Sequence, residues 1–217
     1  MLQRGLRVDE DSVLRFVNSV MSGLHVCLLV DSNFKRLTIG EKCVKQVPYL
    51  RCRGNVFCTY VINRRHLDWP SITDIKERRY TDLLIALGIN HCKHGGENQA
   101  KAVSALLDYY REVRATCPDV RLYWVQVPPS MDPRINSNVH EFNERVTRVV
   151  RTYGVNTVYV PKQFYDEAGG LKPEFARPRE LKLWYTGYKL HLSDDAQNTY
   201  CYVIGRVISK VTRQRIR

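Results

Sequence analysis

The chain has 217 residues, 44% hydrophobic and 26% charged, the balance of a globular protein that buries its own core, which excludes disordered and fibrous classes. Thirty-four Lys and Arg against 22 Asp and Glu leave a net charge of +12, which favours a polyanionic partner, nucleic acid first, with an anionic membrane surface the weaker rival. No apolar run approaches the ~20 residues that span a bilayer and no signal-peptide pattern precedes the first periodic segment, so neither a membrane-spanning nor a secreted protein is expected.

In chain order, apolar spacing predicts a first helix over 11–22, with Val13, Phe16, Val17, Val20 and Met21 inward and Gly23 at its end. A first strand over 25–30 is apolar throughout, as a central parallel strand is, and ends in Asp31-Ser32-Asn33. A second strand is expected over 48–52, before Gly54, and a third over 83–87, running into Gly88-Ile89-Asn90. A long helix over 97–115 carries the stripe Val103, Leu106, Leu107, Tyr110 and Val113. A fourth strand over 122–127 is closed by Pro128-Pro129, a helix follows over 138–153, and a fifth strand over 157–160. The stretch 161–189 lacks periodicity and reads as a long excursion rather than a second domain. A final helix over 194–211 starts after Ser193 as N-cap, and 212–217 is expected to fray. Strands alternating with helices predict an α/β fold: one domain over 1–217, a three-layer sandwich around a five-stranded parallel sheet.

Seven cysteines (Cys27, Cys43, Cys52, Cys58, Cys92, Cys117, Cys201) are odd in number and form no C-x-x-C pair, so they are expected to be reduced and to pack as small hydrophobes. The string His91-Cys92-Lys93-His94 has no second ligand pair at metal spacing, so no metal and no cofactor is expected.

Ligands of open α/β sheets sit beyond the carboxyl ends of the strands, and there the sequence places Ser32, Gly54 and Asn90, with His191 before the last helix. This order resembles the SGNH hydrolase family of flavodoxin-like folds. Its blocks are read here as Val30-Asp31-Ser32, Gly54, Gly88-Ile89-Asn90-His91 and Tyr188-Lys189-Leu190-His191, with Val127-Pro128-Pro129, Asn138 and Asn143 between. The resemblance implies that Ser32 attacks an ester carbonyl, His191 takes its proton, and Gly54, Asn90 and the Ser32 amide hold the oxyanion. Three departures argue against a working site. Tyr188 stands where the family has the Asp that orients the His, Val30 where it has Gly, and His91 where it has Asp. Ser32, Asn90 and His191 can equally be ordinary turn and capping residues, and Ser32, Gly54, Asn90 and His191 are read as relics.

The charge pattern supplies the other function. Between 42 and 67 lie Lys42, Lys45, Arg51, Arg53, Arg64 and Arg65, with no acid and with Tyr49, Phe57 and Tyr60 interleaved; a second basic region holds Lys172, Arg177, Arg179, Lys182 and Lys189, and a third Arg206, Lys210, Arg213, Arg215 and Arg217. Arginines that grip phosphate and rings that stack on unpaired bases are what single-stranded RNA recognition requires. Lys45, Arg51, Arg53, Arg64, Arg65, Arg177, Arg179, Lys182 and Lys189 are the candidate RNA contacts. The strings Val-Asp-Ser-Asn-Phe at 30–34 and Lys-Leu-His-Leu-Ser at 189–193 resemble the catalytically silent SGNH-like domains of insect germ-plasm organisers. That resemblance implies binding of mRNA, through 3′ untranslated regions, with protein partners in cytoplasmic ribonucleoprotein granules of the germ plasm at the posterior pole of the oocyte. The sequence reading is therefore a non-enzymatic RNA-binding domain, and the alternative is an active serine esterase using Ser32 and His191. A carboxylate at His191 Nδ1, with Ser32 at Nε2, separates the two in favour of the enzyme.

Overall fold

The computed structural model describes residues 26–31, 33, 56–60, 71–182 and 189–214. Five parallel strands, β1 (Val26–Val30), β2 (Val56–Tyr60), β3 (Asp82–Ala86), β4 (Arg121–Val125) and β5 (Asn156–Val158), form one sheet in the order β2-β1-β3-β4-β5. The chain moves outward from β1 to β2 and then returns past β1 to β3, so the topological switch point lies between β1 and β3.

Five α-helices are described, α1 (Ile72–Glu77), α2 (Ile89–Cys92), α3 (Gly96–Thr116), α4 (Pro133–Val150) and α5 (Asp194–Gln214), with short 3-10 turns between them, and they are divided between the two faces of the sheet. Alternate strand residues point to opposite faces. Leu83, Ile85, Leu122 and Trp124 pack with Ile75, Leu106, Tyr110, Phe142 and Val146 of α1, α3 and α4. Leu84, Ala86, Tyr123 and Val125 pack with Ala196, Tyr200, Ile204 and Ile208 of α5. The result is the expected three-layer sandwich, buried on both faces, which is why the strands read as continuous apolar runs.

The strand expected over 48–52, before Gly54, lies outside the described residues. The second described strand is Val56–Tyr60, whose Val, Phe, Thr and Tyr suit a pleated, half-buried surface. The helix expected over 138–153 begins earlier, because Pro133 is pre-shaped for a first helical turn and the Asp132 side chain accepts the Arg134 amide at 3.1 Å. It ends at Val150 and continues as a 3-10 turn over Arg151–Tyr153, stopped by Gly154 at φ 65°. The last helix runs through Gln214, three residues beyond the expected end. The expected first helix over 11–22 and the tail 215–217 lie outside the described residues. Cys27, Cys92, Cys117 and Cys201 are buried and form no disulfide, as packing cysteines do not. Among the described residues, no helix is long and apolar enough to cross a membrane, and no group of three or more candidate metal ligands occurs.

At the amino-terminal end of the sheet, Asp82 is fully buried between β1 and β4. Its carboxylate accepts Arg121 Nε at 2.7 Å and Nη2 at 2.5 Å, Tyr123 Oη at 3.0 Å and Thr81 Oγ1 at 2.6 Å. Every oxygen lone pair that burial strips of water is replaced by a donor, as a buried charge requires.

Candidate functional site

The carboxyl end of the sheet is stitched together through the switch point. The Asp31 amide donates to the Ala86 carbonyl at 3.0 Å, bridging the ends of β1 and β3. One Asp31 carboxylate oxygen accepts the Asn33 amide at 2.9 Å, an Asx-type turn, and the other accepts the Ile89 amide at 3.2 Å. Burial pushes the Asp31 carboxyl up to about 6, against the downward pull of these amides and of His191.

Gly88 allows Ile89 to reach this position. Its φ is 141°, in the region that favours glycine, and a Cβ there would meet Phe142 at 2.5 Å and Val127 at 2.7 Å. This explains the Gly of Gly88-Ile89-Asn90 physically. Asn90 follows in the first turn of α2, half-buried. His91 is held below its usual range by burial first and His94 second, and burial raises the Cys92 thiol, so neither is a ready cation or thiolate.

The His191 block docks from the other side. The Asn33 side-chain oxygen accepts the Leu192 amide at 3.1 Å, tying together residues 159 apart in the chain. Asp31 and Asn33, the chain neighbours of Ser32, are thus bonded respectively to the Asn90 block and to the residue after His191. Ser32 itself lies outside the described residues, as do Gly54 and Tyr188.

The carboxylate that the sequence reading missed is Glu180. It lies in the excursion, within the 3-10 turn Pro178–Leu181, and is 2% exposed. A short antiparallel pairing delivers it: the Arg177 amide donates to the His191 carbonyl at 2.9 Å, and the Ser193 amide to the Phe175 carbonyl at 2.7 Å. Phe164 anchors this segment to the core against Phe175, at 4.8 Å, and Tyr200. Glu180 Oε2 accepts the His191 amide at 3.0 Å, and Oε1 pairs with His191 Nδ1. An ionised carboxylate only accepts, so Nδ1 carries the proton and Nε2 is left as the basic nitrogen. The carboxylate at His191 Nδ1 that separates the two readings is therefore present: a Glu eleven residues upstream occupies the place that the family pattern gives to an Asp three residues upstream. One signal was available. Glu180 is the sole acid between 175 and 193.

Of the candidate RNA contacts, Arg177 and Lys189 are half-buried and Arg179 and Lys182 exposed, all in the segments that flank the Glu180–His191 pair. Lys45, Arg51, Arg53, Arg64 and Arg65 lie outside the described residues. Arg206 and Lys210 of the third basic region are exposed on α5.

The fold that these elements define is that of the SGNH, or GDSL-like, hydrolases. Solved structures it resembles include a GDSL-like lipase from Bacteroides thetaiotaomicron, at TM-score 0.58 and 10% identity over 94% of this chain and 100% of that one. An acetyl esterase variant with acetate ion gives TM-score 0.58 at 10% identity, over 87% and 98% of the two chains. The psychrotrophic esterase EstA from Pseudoalteromonas, inhibited by monoethylphosphonate, gives 0.53 at 15%, over 87% and 99%. No protein-family profile and no curated protein matches the chain. At these identities the likeness is one of fold, and the chemistry has to be argued from the residues.

Proposed function

We propose that the protein is a serine hydrolase of acyl esters in which Ser32 is the nucleophile, His191 the base and Glu180 the group that orients it. The single observation that carries this reading is the buried Glu180 carboxylate on His191 Nδ1. Burying a carboxylate is costly unless it is paired, and here its partner is a titratable ring at the switch point rather than a permanent cation. In the reaction, Ser32 Oγ bonds to the ester carbonyl carbon while its proton passes to His191 Nε2. The imidazolium formed beside Glu180 gives that proton to the departing alcohol, leaving an acyl-serine. Water then attacks the acyl carbon and loses a proton to Nε2, which returns it to Ser32 Oγ as the carboxylic acid leaves. Asn90, in the first turn of α2 after β3, is assigned the oxyanion in this reading.

The test is labelling by a fluorophosphonate together with turnover of a short acyl ester. The expected result is labelling at Ser32 and turnover abolished in Ser32→Ala; an unlabelled, inactive protein sinks the reading.

A second reading is favoured by charge: the net +12 and the cations on either side of His191 suit RNA, with the fold serving as a silent scaffold. Its finer form is a likeness to the C-terminal domain of Oskar, the insect germ-plasm organiser, through the strings at 30–34 and 189–193. That form carries mRNA binding, granule partners and germ-plasm residence with it. Crosslinking to RNA with peptide mapping tests it: crosslinks in 42–67 and 172–189 support it, and crosslinks confined to the C-terminal run 206–217 count against it.

A further inference from the structure

On the outer helices, cations come with acids. Lys101 pairs with Glu97 and Arg111 with Asp108 on α3, and Arg145 pairs with Glu141 and Arg148 with Glu144 on α4, each within one turn. Beside His191 that rule breaks. Arg177, Arg179, Lys182 and Lys189 make no ion pair among the described residues. Of the nearby acids, Glu180 is buried on His191, Asp132 is gripped by Arg134 at 2.6 Å and 2.9 Å and shares its field with Lys189, and Glu174 alone is exposed beside Arg177, so cations outnumber acids here. Asp194 and Asp195 stand in the first turn of α5, at the positive end of its dipole. Arg177 is tied by its own amide to the His191 carbonyl, and the Lys189 carbonyl accepts the Met131 amide and the Ser130 hydroxyl, so the main chain that carries these two cations is fixed beside His191.

We propose that these four cations select the substrate: the ester that this site cleaves carries a phosphate or comparable anionic group on its alcohol side. The inference rests on the hydrolase reading above and adds substrate class to it. Charges of one sign gathered at a cleft attract oppositely charged ligands over distances of the order of the Debye length, about 10 Å at 0.1 M salt and about 3 Å at 1 M.

The experiment compares acetate release from 1-acetylglycerol and from 1-acetylglycerol 3-phosphate, which share the same ester bond. At low salt, kcat/KM for the phosphate ester should exceed that for the neutral one by about tenfold or more, the lower end of electrostatic enhancement. The ratio should fall toward one at about 1 M salt, and in Arg179→Gln with Lys182→Gln at low salt. Hydrolysis of both esters at equal, salt-independent rates overturns this inference and leaves the hydrolase standing. Hydrolysis of neither, with no fluorophosphonate label, overturns both; if the same double variant then also loses binding to a single-stranded RNA, the cations serve RNA.

Discussion

Two buried carboxylates at opposite ends of one sheet have been given different partners. Asp82 at the amino-terminal end is closed by a guanidinium, a phenol and a threonine hydroxyl, and Arg121 itself is held above its ordinary value by that contact. Glu180 at the carboxyl end meets an imidazole and one amide. A guanidinium never gives up its proton at accessible pH, so the first arrangement can only hold strands in register. An imidazole exchanges its proton near neutrality, so the second can move one. The lesson is that burial of a charge says little about function until the partner's own chemistry is known.

The sharpest way to break this comparison is Glu180→Gln. A glutamine amide aimed at His191 Nδ1 donates where the carboxylate accepted, which forces the proton onto Nε2 and removes the base. The expected loss in ester turnover is about 10⁴-fold, the size seen for the corresponding change in serine proteases, with the folded state retained by circular dichroism. A variant that turns over esters like the parent would return Glu180 to a purely structural role.

Asp82→Asn should do the opposite. It leaves Arg121, whose side chain is 14% exposed, without its carboxylate, and breaking such a pair costs about 3–5 kcal/mol. Thermal unfolding should come about 10 °C earlier for a chain of this size, while the rate per folded molecule stays the same.

Asp31 refines the picture of the carboxyl end through pH. Its folded carboxyl stands at about 6 against 3.8 for the free group, so the protonated form is the one the fold prefers. The stability this provides is fully present below about 3.8 and is lost as pH rises through 6. The whole shift corresponds to about 3 kcal/mol. Measured by urea unfolding, Asp31→Asn should gain by that amount relative to the parent between pH 3.5 and pH 8. A constant difference across that range would show that folding leaves the Asp31 carboxyl unshifted. Smallest of all, Glu144→Ala should cost no more than about 0.5 kcal/mol, because its partner Arg148 lies on the open face of α4.

What the sequence made legible follows the same division. The sheet could be read because buried parallel strands are apolar on both faces, and the helices because their stripes repeat at helical spacing. Val56–Tyr60 went unread as a strand because Phe57 and Tyr60, interleaved with basic residues, suit a nucleic-acid surface as well as a pleated one. Ser32's neighbours, Asn90 and His191 were legible because each sits within a residue or two of an element end. Glu180 was not, since its position depends on a two-rung pairing between 175–177 and 191–193 that leaves no periodic trace. The departure at Tyr188 was legible as a missing Asp, and a carboxylate from elsewhere stayed open, but nothing in the sequence pointed to Glu180 as that carboxylate.

The bond from Asn33 to the Leu192 amide has a consequence in time. During synthesis from the amino terminus, β1 through β5 and the loop of Asp31 and Asn33 all emerge before the residues that complete the site. Contacts of such long sequence separation form late, after the entropy of closing the intervening loop has been met by the packing of everything between. A nascent chain therefore holds Asp31 and Asn33 without the Leu192 amide until the segment after the excursion folds back and docks α5, so the two halves of the candidate site meet only once residues 189–214 have been made.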